Sequence, residues 1–402
     1  MSLGQHRPTP EPMRPQTLAV RSAMWLAPLV PLLSPLAASA GDDAARLRTV
    51  VDAAVRPLMA RHDIPGMAVA LTVDGQSQVF SYGVSSKESQ APVTASTVFE
   101  VGSISKMFAA TLAALAQANG QLSLDEHPGR YLPRLQGRPI DRATLLELGT
   151  YTAGGLPLQF PDGIEDDEAA FAYFEAWQAD AAPGTVRRYS NPSIGLLGAV
   201  TAAALKDGYA HLIETQLLPP FGMQHTHITL PPQAMADYAW GYRGDQALRV
   251  NPGPLDAPAY GIKSTAADMI RFVQANIDPS GLEPPLRRAV EFTQVGQFQV
   301  RGMVQGLGWE QFPYPTSREA LLDGNSASIS YNANPVQRLP VAQAATPRLF
   351  DKTGSTNGFG AYVAFVPSQR IGLVLLANRN FPIPARIEAA SAILDQLAAG
   401  RR

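Results

Sequence analysis

Apolar residues at Leu47, Val50, Val51, Ala54, Val55, Leu58 and Met59 recur at helical spacing, which predicts an amphipathic helix over Ala44 to Arg61. Downstream the period changes. Met67 to Val73 and Gln78 to Tyr82 read as strands, and Asp74-Gly75 between them predicts a hairpin. Near the other end, Arg348–Thr353, Ala361–Val366 and Ile371–Ala377 are β-rich runs separated by turns that contain Gly or Pro. A last helix, Pro384 to Ala399, stops at Gly400. The middle of the chain is rich in Ala, Leu and Pro, and its Pro-rich stretches around 229–260 and 311–350 read as surface loops.

These elements predict an α+β fold: an antiparallel sheet built from both termini, flanked by helices, with an inserted mainly helical region. The sheet is expected in 41–102 and from about 340 to 402. The helical region is expected in about 103–230, and loops and mixed structure in 231–340. Ahead of this lies Met24 to Ala40, apolar and uncharged, preceded by Arg14 and Arg21 and ending in Ala38-Ser39-Ala40. That pattern predicts a signal peptide over 1–40, cleaved after Ala40, and it is short and Pro-interrupted for a membrane span. Residues 41–402 are then one exported domain in the periplasm, with no membrane contact after cleavage.

Composition narrows the chemistry. With 32 Lys+Arg against 34 Asp+Glu, the formal charge of −2 gives no general attraction to phosphate backbones, so no nucleic-acid partner is expected. The absence of Cys removes disulfides, thiolate metal sites and a cysteine nucleophile. His225-Thr226-His227 resembles half of a zinc site, but no His-x-x-x-His or correctly spaced Asp accompanies it. No metal and no cofactor are expected.

Three short motifs carry the candidate chemistry. Ser103-Ile104-Ser105-Lys106 begins a predicted helix, placing Lys106 on the face of Ser103. A serine hydroxyl needs an adjacent base, and a lysine kept neutral by burial and neighbouring cations can be that base. Tyr189-Ser190-Asn191 offers a phenol able to act as acid or base beside an amide that can hold a carbonyl. Lys352-Thr353-Gly354, on a predicted strand and followed by Ser355, suits a substrate carboxylate. Each motif alone is weak.

Their order is not. Ser-x-x-Lys, then Tyr-x-Asn, then Lys-Thr-Gly near the C-terminus is the signature of the penicillin-recognising serine hydrolases. The longer wording of Phe99–Lys106, Thr150–Gln159 and Asp351–Gly360 resembles the class C β-lactamases, the AmpC type of Gram-negative bacteria. The resemblance implies a β-lactamase/DD-peptidase-like fold and a monomer acting on small β-lactams.

Carried over residue by residue, it makes Ser103 the acylated nucleophile, with Lys106 and Tyr189 sharing the proton work and Lys352 lowering the Tyr189 pKa. The backbone N–H groups of Ser103 and Ser355 would form the oxyanion hole. Gln159 and Asn191 would contact the acylamino side chain, with Tyr260 as the aromatic wall of that pocket. Lys352, Thr353, Gly354 and Ser355 would line the carboxylate side, with Asn380 and Arg386 as a second patch. There Ile383 stands where relatives carry an asparagine, which removes one donor.

The Ser-Asp-Asn motif of class A enzymes and the Gly-x-Ser-x-Gly of α/β-hydrolases are both absent. A DD-peptidase or esterase uses the same three motifs and is the main alternative. A penicillin sensor would need a tether or partner domain.

Overall fold

Asp74 and Gly75 both adopt positive φ, 50° and 82°, the geometry a two-residue hairpin demands. They join β1 (Gly66–Val73) to β2 (Gln76–Gly83) in unbroken antiparallel register. The structure, a computed structural model, describes residues 35–340 and 347–400, with side chains from Ala44 onward. Contacts divide the chain into units Met1–Asp43 and Ala44–Arg402. The predicted signal peptide falls mostly outside the described residues; within it, residues 35–40 are helical, the start of α1 (Pro35–His62).

Four strands come from the middle of the chain: β3 (Gly296–Val300), β4 (Met303–Gly306), β5 (Glu310–Pro313) and β6 (Gln337–Arg338). The C-terminal part adds β7 (Arg348–Ser355), β8 (Gly360–Val366) and β9 (Ile371–Ala377). The sheet runs β6-β3-β4-β5-β7-β8-β9-β1-β2, antiparallel throughout. The two termini therefore supply five of its strands, and the other four come from the stretch 296–338, within the region expected to hold loops and mixed structure. Residues 296–313 escape the strand pattern because Gln297, Gln305, Glu310 and Gln311 are polar yet buried.

Strand alternation sends side chains to two cores. On one face Val69, Leu71, Tyr362, Ala364 and Leu373 pack with Val51 and Val55 of α1 and with Ile387 and Ile393 of α7 (Ile383–Ala399). On the other, Ala68, Ala70, Val363, Phe365 and Val374 meet the inserted helices. These include α2 (Ser105–Ala118), α3 (Asn191–Leu205) and α5 (Ala266–Ile277), with the short α4 (Ala257–Tyr260) before the last. Nearly every residue of α2 is buried, as an apolar helix without a polar face requires. The stretch 311–350 is not all loop either, since it holds α6 (Ala327–Tyr331) besides its strand residues.

Candidate active site

Ser103 lies in a 3₁₀ turn, Gly102–Ile104, directly ahead of α2 rather than inside it. Gly102 has φ +54°, and a Cβ there would overlap the Ser355 backbone of β7. Glycine thus lets the nucleophile turn and the β7 edge touch. Gly354 acts in the same contact, because a Cβ on it would overlap the Val101 carbonyl. It is buried against this turn and is not among the residues that line the two lobes described below.

Lys106, fully buried, reaches the Ser103 Oγ at 3.0 Å and donates to the Ala259 carbonyl at 2.7 Å. Burial pushes its ammonium down to about 8, and the charge of Lys352 pushes the same way. Ser105 is buried too, but its Oγ accepts from the Ile262 N–H at 3.0 Å, a structural bond that separates it from Ser103.

Tyr189 ends the segment before α3, whose cap is the Ser190 side chain accepting from the Ser193 N–H. Its ring lies 5.1 Å from Lys106 Nζ and 4.9 Å from Lys352 Nζ. Burial alone would raise its phenol, but the two ammonium groups, with the Ser103 hydroxyl nearby, outweigh burial and hold it below its usual value. The buried Tyr189 hydroxyl makes no well-formed hydrogen bond within the protein, and the same holds for Asn191 Oδ1. Both residues line the cleft beside Ser103.

Lys352 is buried on β7 with its Nζ 3.5 Å from Glu310 Oε1. The same oxygen takes the Arg187 guanidinium at 3.0 Å. Burial would lower the Lys352 ammonium, but the Glu310 carboxylate overrides burial and raises it, so Lys352 stays a cation. Glu310 and Arg187 complete the charge balance of the site, and the sequence reading missed both. The available signal was a pair of charges in short strands, Val186–Arg187 and Glu310–Pro313.

Two lobes open around Ser103. One, of about 190 Å³, is lined by Tyr189, Glu310, Lys352, Thr353 and Ile383; the other, of about 620 Å³, by Arg243, Tyr260, Asn357 and Asn380. Ser103, Gln159, Asn191 and Ser355 border both. Arg386 borders neither of these lobes. It is wholly buried, donating to the carbonyls of Gly354, Ala361 and Phe381, to Ser355 Oγ and to Asn380 Oδ1. No donor remains for a ligand.

The chain matches the Beta-lactamase family model over residues 51–398. It belongs to the β-lactamase family. A β-lactamase of Pseudomonas fluorescens is 48% identical over 353 residues, covering 87% of this chain and 99% of that protein. The Escherichia coli K12 β-lactamase is 40% identical, over 88% and 94% of the two chains. A solved class C β-lactamase in complex with cefoxitin superposes with a TM-score of 0.83 at 42% identity, over 88% of this chain and 99% of that one. A D-alanine carboxypeptidase AmpC from Burkholderia cenocepacia gives 0.83 at 47% identity, over 88% and 99%. This chain is thus a class C β-lactamase, a hydrolase of the β-lactam amide.

Proposed function

We propose that the enzyme hydrolyses cephalosporins and penicillins through a covalent acyl-enzyme on Ser103. The observation that carries this is the 3.0 Å approach of Lys106 Nζ to Ser103 Oγ inside a buried cluster with Tyr189 and Lys352. Ser103 Oγ attacks the lactam carbonyl as its proton passes to the Lys106–Tyr189 pair, which acts as a coupled unit. The backbone N–H groups of Ser103 and Ser355 receive the carbonyl oxygen, a pairing supported by the close approach of Gly102 to the Ser355 backbone. The pair returns the proton to the departing ring nitrogen as the C–N bond breaks. Tyr189 then takes a proton from water, which attacks the ester carbonyl, and passes it to Ser103 Oγ as the ester C–O bond breaks.

Lys352 and Thr353 hold the ring carboxylate. Gln159, Asn191 and Tyr260 hold the acylamino side chain, with the Asn380 amide on the same larger lobe. The protein works as a periplasmic monomer after removal of residues 1–40. No helix among the described residues is long and apolar enough to cross a membrane.

Two relatives carry the name D-alanine carboxypeptidase, so lifetime of the acyl-enzyme is the discriminating property. A turnover near 100 per second is a barrier of roughly 15 kcal/mol, whereas an adduct lasting hours needs about 23. The test is nitrocefin hydrolysis by purified wild type and Ser103→Ala, with peptide mapping of a slow β-lactam adduct. Many turnovers, an adduct on Ser103 and loss of roughly 1,000-fold or more in the variant are expected. One stoichiometric burst and then silence, together with release of D-alanine from a D-Ala-D-Ala peptide, would mean a peptidase instead.

A further inference from the structure

Glu100 is a buried carboxylate just ahead of the nucleophile turn, and the proton transfers at Ser103 do not use it. It ends the short strand Phe99–Glu100, which pairs with Lys263–Ser264. Lys263 stands opposite it in register, but the Lys263 Nζ donates to the Ile228 carbonyl at 2.6 Å. Glu100 has no ion pair among the described residues, so hydrogen bonds must compensate its burial. Both of them fall on one oxygen. Oε1 accepts from the Tyr238 hydroxyl at 2.6 Å and from the Val250 N–H at 2.7 Å, while Oε2 has no partner among the described residues. Burial and the Glu100 charge push the Tyr238 phenol up, which keeps it a donor.

The Val250 bond reaches into the catalytic cleft. Leu248, Arg249, Val250 and Asn251 line the larger lobe together with Tyr260. Along residues 249–252 the backbone makes no other hydrogen bond among the described residues, and Pro252 has no N–H to give. Tyr238, the second group held by Glu100, carries the Arg249 guanidinium over its ring at 4.0 Å. Arg249 also donates to the Ala239 carbonyl at 3.2 Å. On its other side Glu100 runs through Val101, whose N–H donates to the Ile262 carbonyl at 3.1 Å, into Gly102 and Ser103. One carboxylate oxygen therefore links the backbone that leads to the nucleophile with the backbone that walls the larger lobe.

We infer that Glu100 is a positioning residue that holds the Val250 wall at the distance from Ser103 that a substrate's acylamino side chain requires. This rests on the proposed seating of that side chain in the larger lobe. Because both donors, a phenol and a backbone amide, are neutral, the tether depends on the reach of an acceptor oxygen and not on its charge. The wall meets a part of the substrate that stays unchanged while the lactam opens. Its displacement weakens ground state and transition state alike and appears in KM.

The experiment compares two cephalosporins with the same acetoxymethyl substituent, one bearing a thienylacetyl group on its amino nitrogen (cephalothin) and one with that amine free (7-aminocephalosporanic acid). Glu100→Asp keeps the charge and shortens the reach; Glu100→Gln keeps the reach and removes the charge. Glu100→Asp should raise KM for the thienylacetyl compound roughly fivefold to tenfold and leave its kcat within about twofold. KM for the free amine should stay within about twofold, and Glu100→Gln should match wild type on both compounds to that margin. Amide hydrogen exchange of wild type and Glu100→Gln reads the bond itself, even where Glu100→Asp does not fold. The Val250 N–H should exchange at least about tenfold more slowly than that of Asn251 in both proteins. Equal KM changes on both compounds, no change on either, Glu100→Gln as impaired as Glu100→Asp, or Val250 exchanging as fast as Asn251 would overturn the inference. Failure of wild type to turn over either compound is a different result, and it would remove the proposed function together with this one.

Discussion

Two buried cationic clusters sit within a few residues of each other around β7, and they are built to opposite ends. Around Arg386 every donor has an acceptor: Gly354, Ala361 and Phe381 carbonyls, Ser355 Oγ and Asn380 Oδ1. Burial pushes the guanidinium down to about 9, still above neutrality, so it remains a fixed charge that ties α7 to the strand ends. Around Tyr189 the hydroxyl has no well-formed partner, and Lys106 is held near 8 by burial and by Lys352. A satisfied charge is scaffold. An unsatisfied phenol between two ammonium groups is a place where a proton can move.

The largest effect that separates the clusters should come from Tyr189→Phe. It deletes a proton-transfer group without emptying space, so acylation and deacylation should both slow by at least about a hundredfold while the melting temperature holds. Stopped-flow hydrolysis with thermal denaturation reads both. A variant with normal rates would place the proton work on Lys106 alone.

Arg386→Lys should do the reverse. An ammonium cannot bridge carbonyls on three segments, so buried acceptors lose their donors and stability should fall by about 3 kcal/mol. Denaturant unfolding measures this. With substrate, KM should change little compared with the stability, because the Arg386 donors are all engaged within the protein; a large selective rise in KM at full stability would place it on the binding surface.

A smaller effect is expected at Asp351. Its cross-strand partner is Glu310, and both are buried. Burial first, and Glu310 second, push its carboxyl up to about 7, while Tyr362 and Asn325 donate to Oδ2 at 2.7 and 3.0 Å. The unfolded chain releases this proton near 4 and the native state keeps it until about 7, so native stability declines as pH rises across that window. Asp351→Asn abolishes the titration. Its melting temperature should exceed that of wild type at pH 8 and lose this advantage toward pH 4. An advantage independent of pH would mean that Asp351 does not titrate in the fold.

The sequence was most legible where chemistry is local. Ser103 and Lys106 lie within one turn, Asp74-Gly75 alone forces a hairpin, and Lys352 sits on the strand its neighbours predict. It was least legible where distant residues decide burial. Arg187 and Glu310 are 123 positions apart and meet only through the fold. Arg386 looks like a ligand-binding cation until the carbonyls of β7 and β8 close around it. The strands over 296–313 stayed hidden because their buried glutamines make hydrogen bonds inside, as Gln305 does with Arg187 at 2.7 Å. Polar composition there reports satisfied interior, not surface.

The central claim is that the two lysines together set the protonation of the groups around Ser103. Lys352 lowers both the Lys106 ammonium, after burial, and the Tyr189 phenol, where it and Lys106 outweigh burial. The most direct measurement is the pH profile of kcat/KM for wild type and Lys352→Met, which reports ionisations of the free enzyme. Removing one cation should move the acid limb to higher pH, whatever the overall loss of rate. A limb that stays in place, or moves to lower pH, would contradict the account.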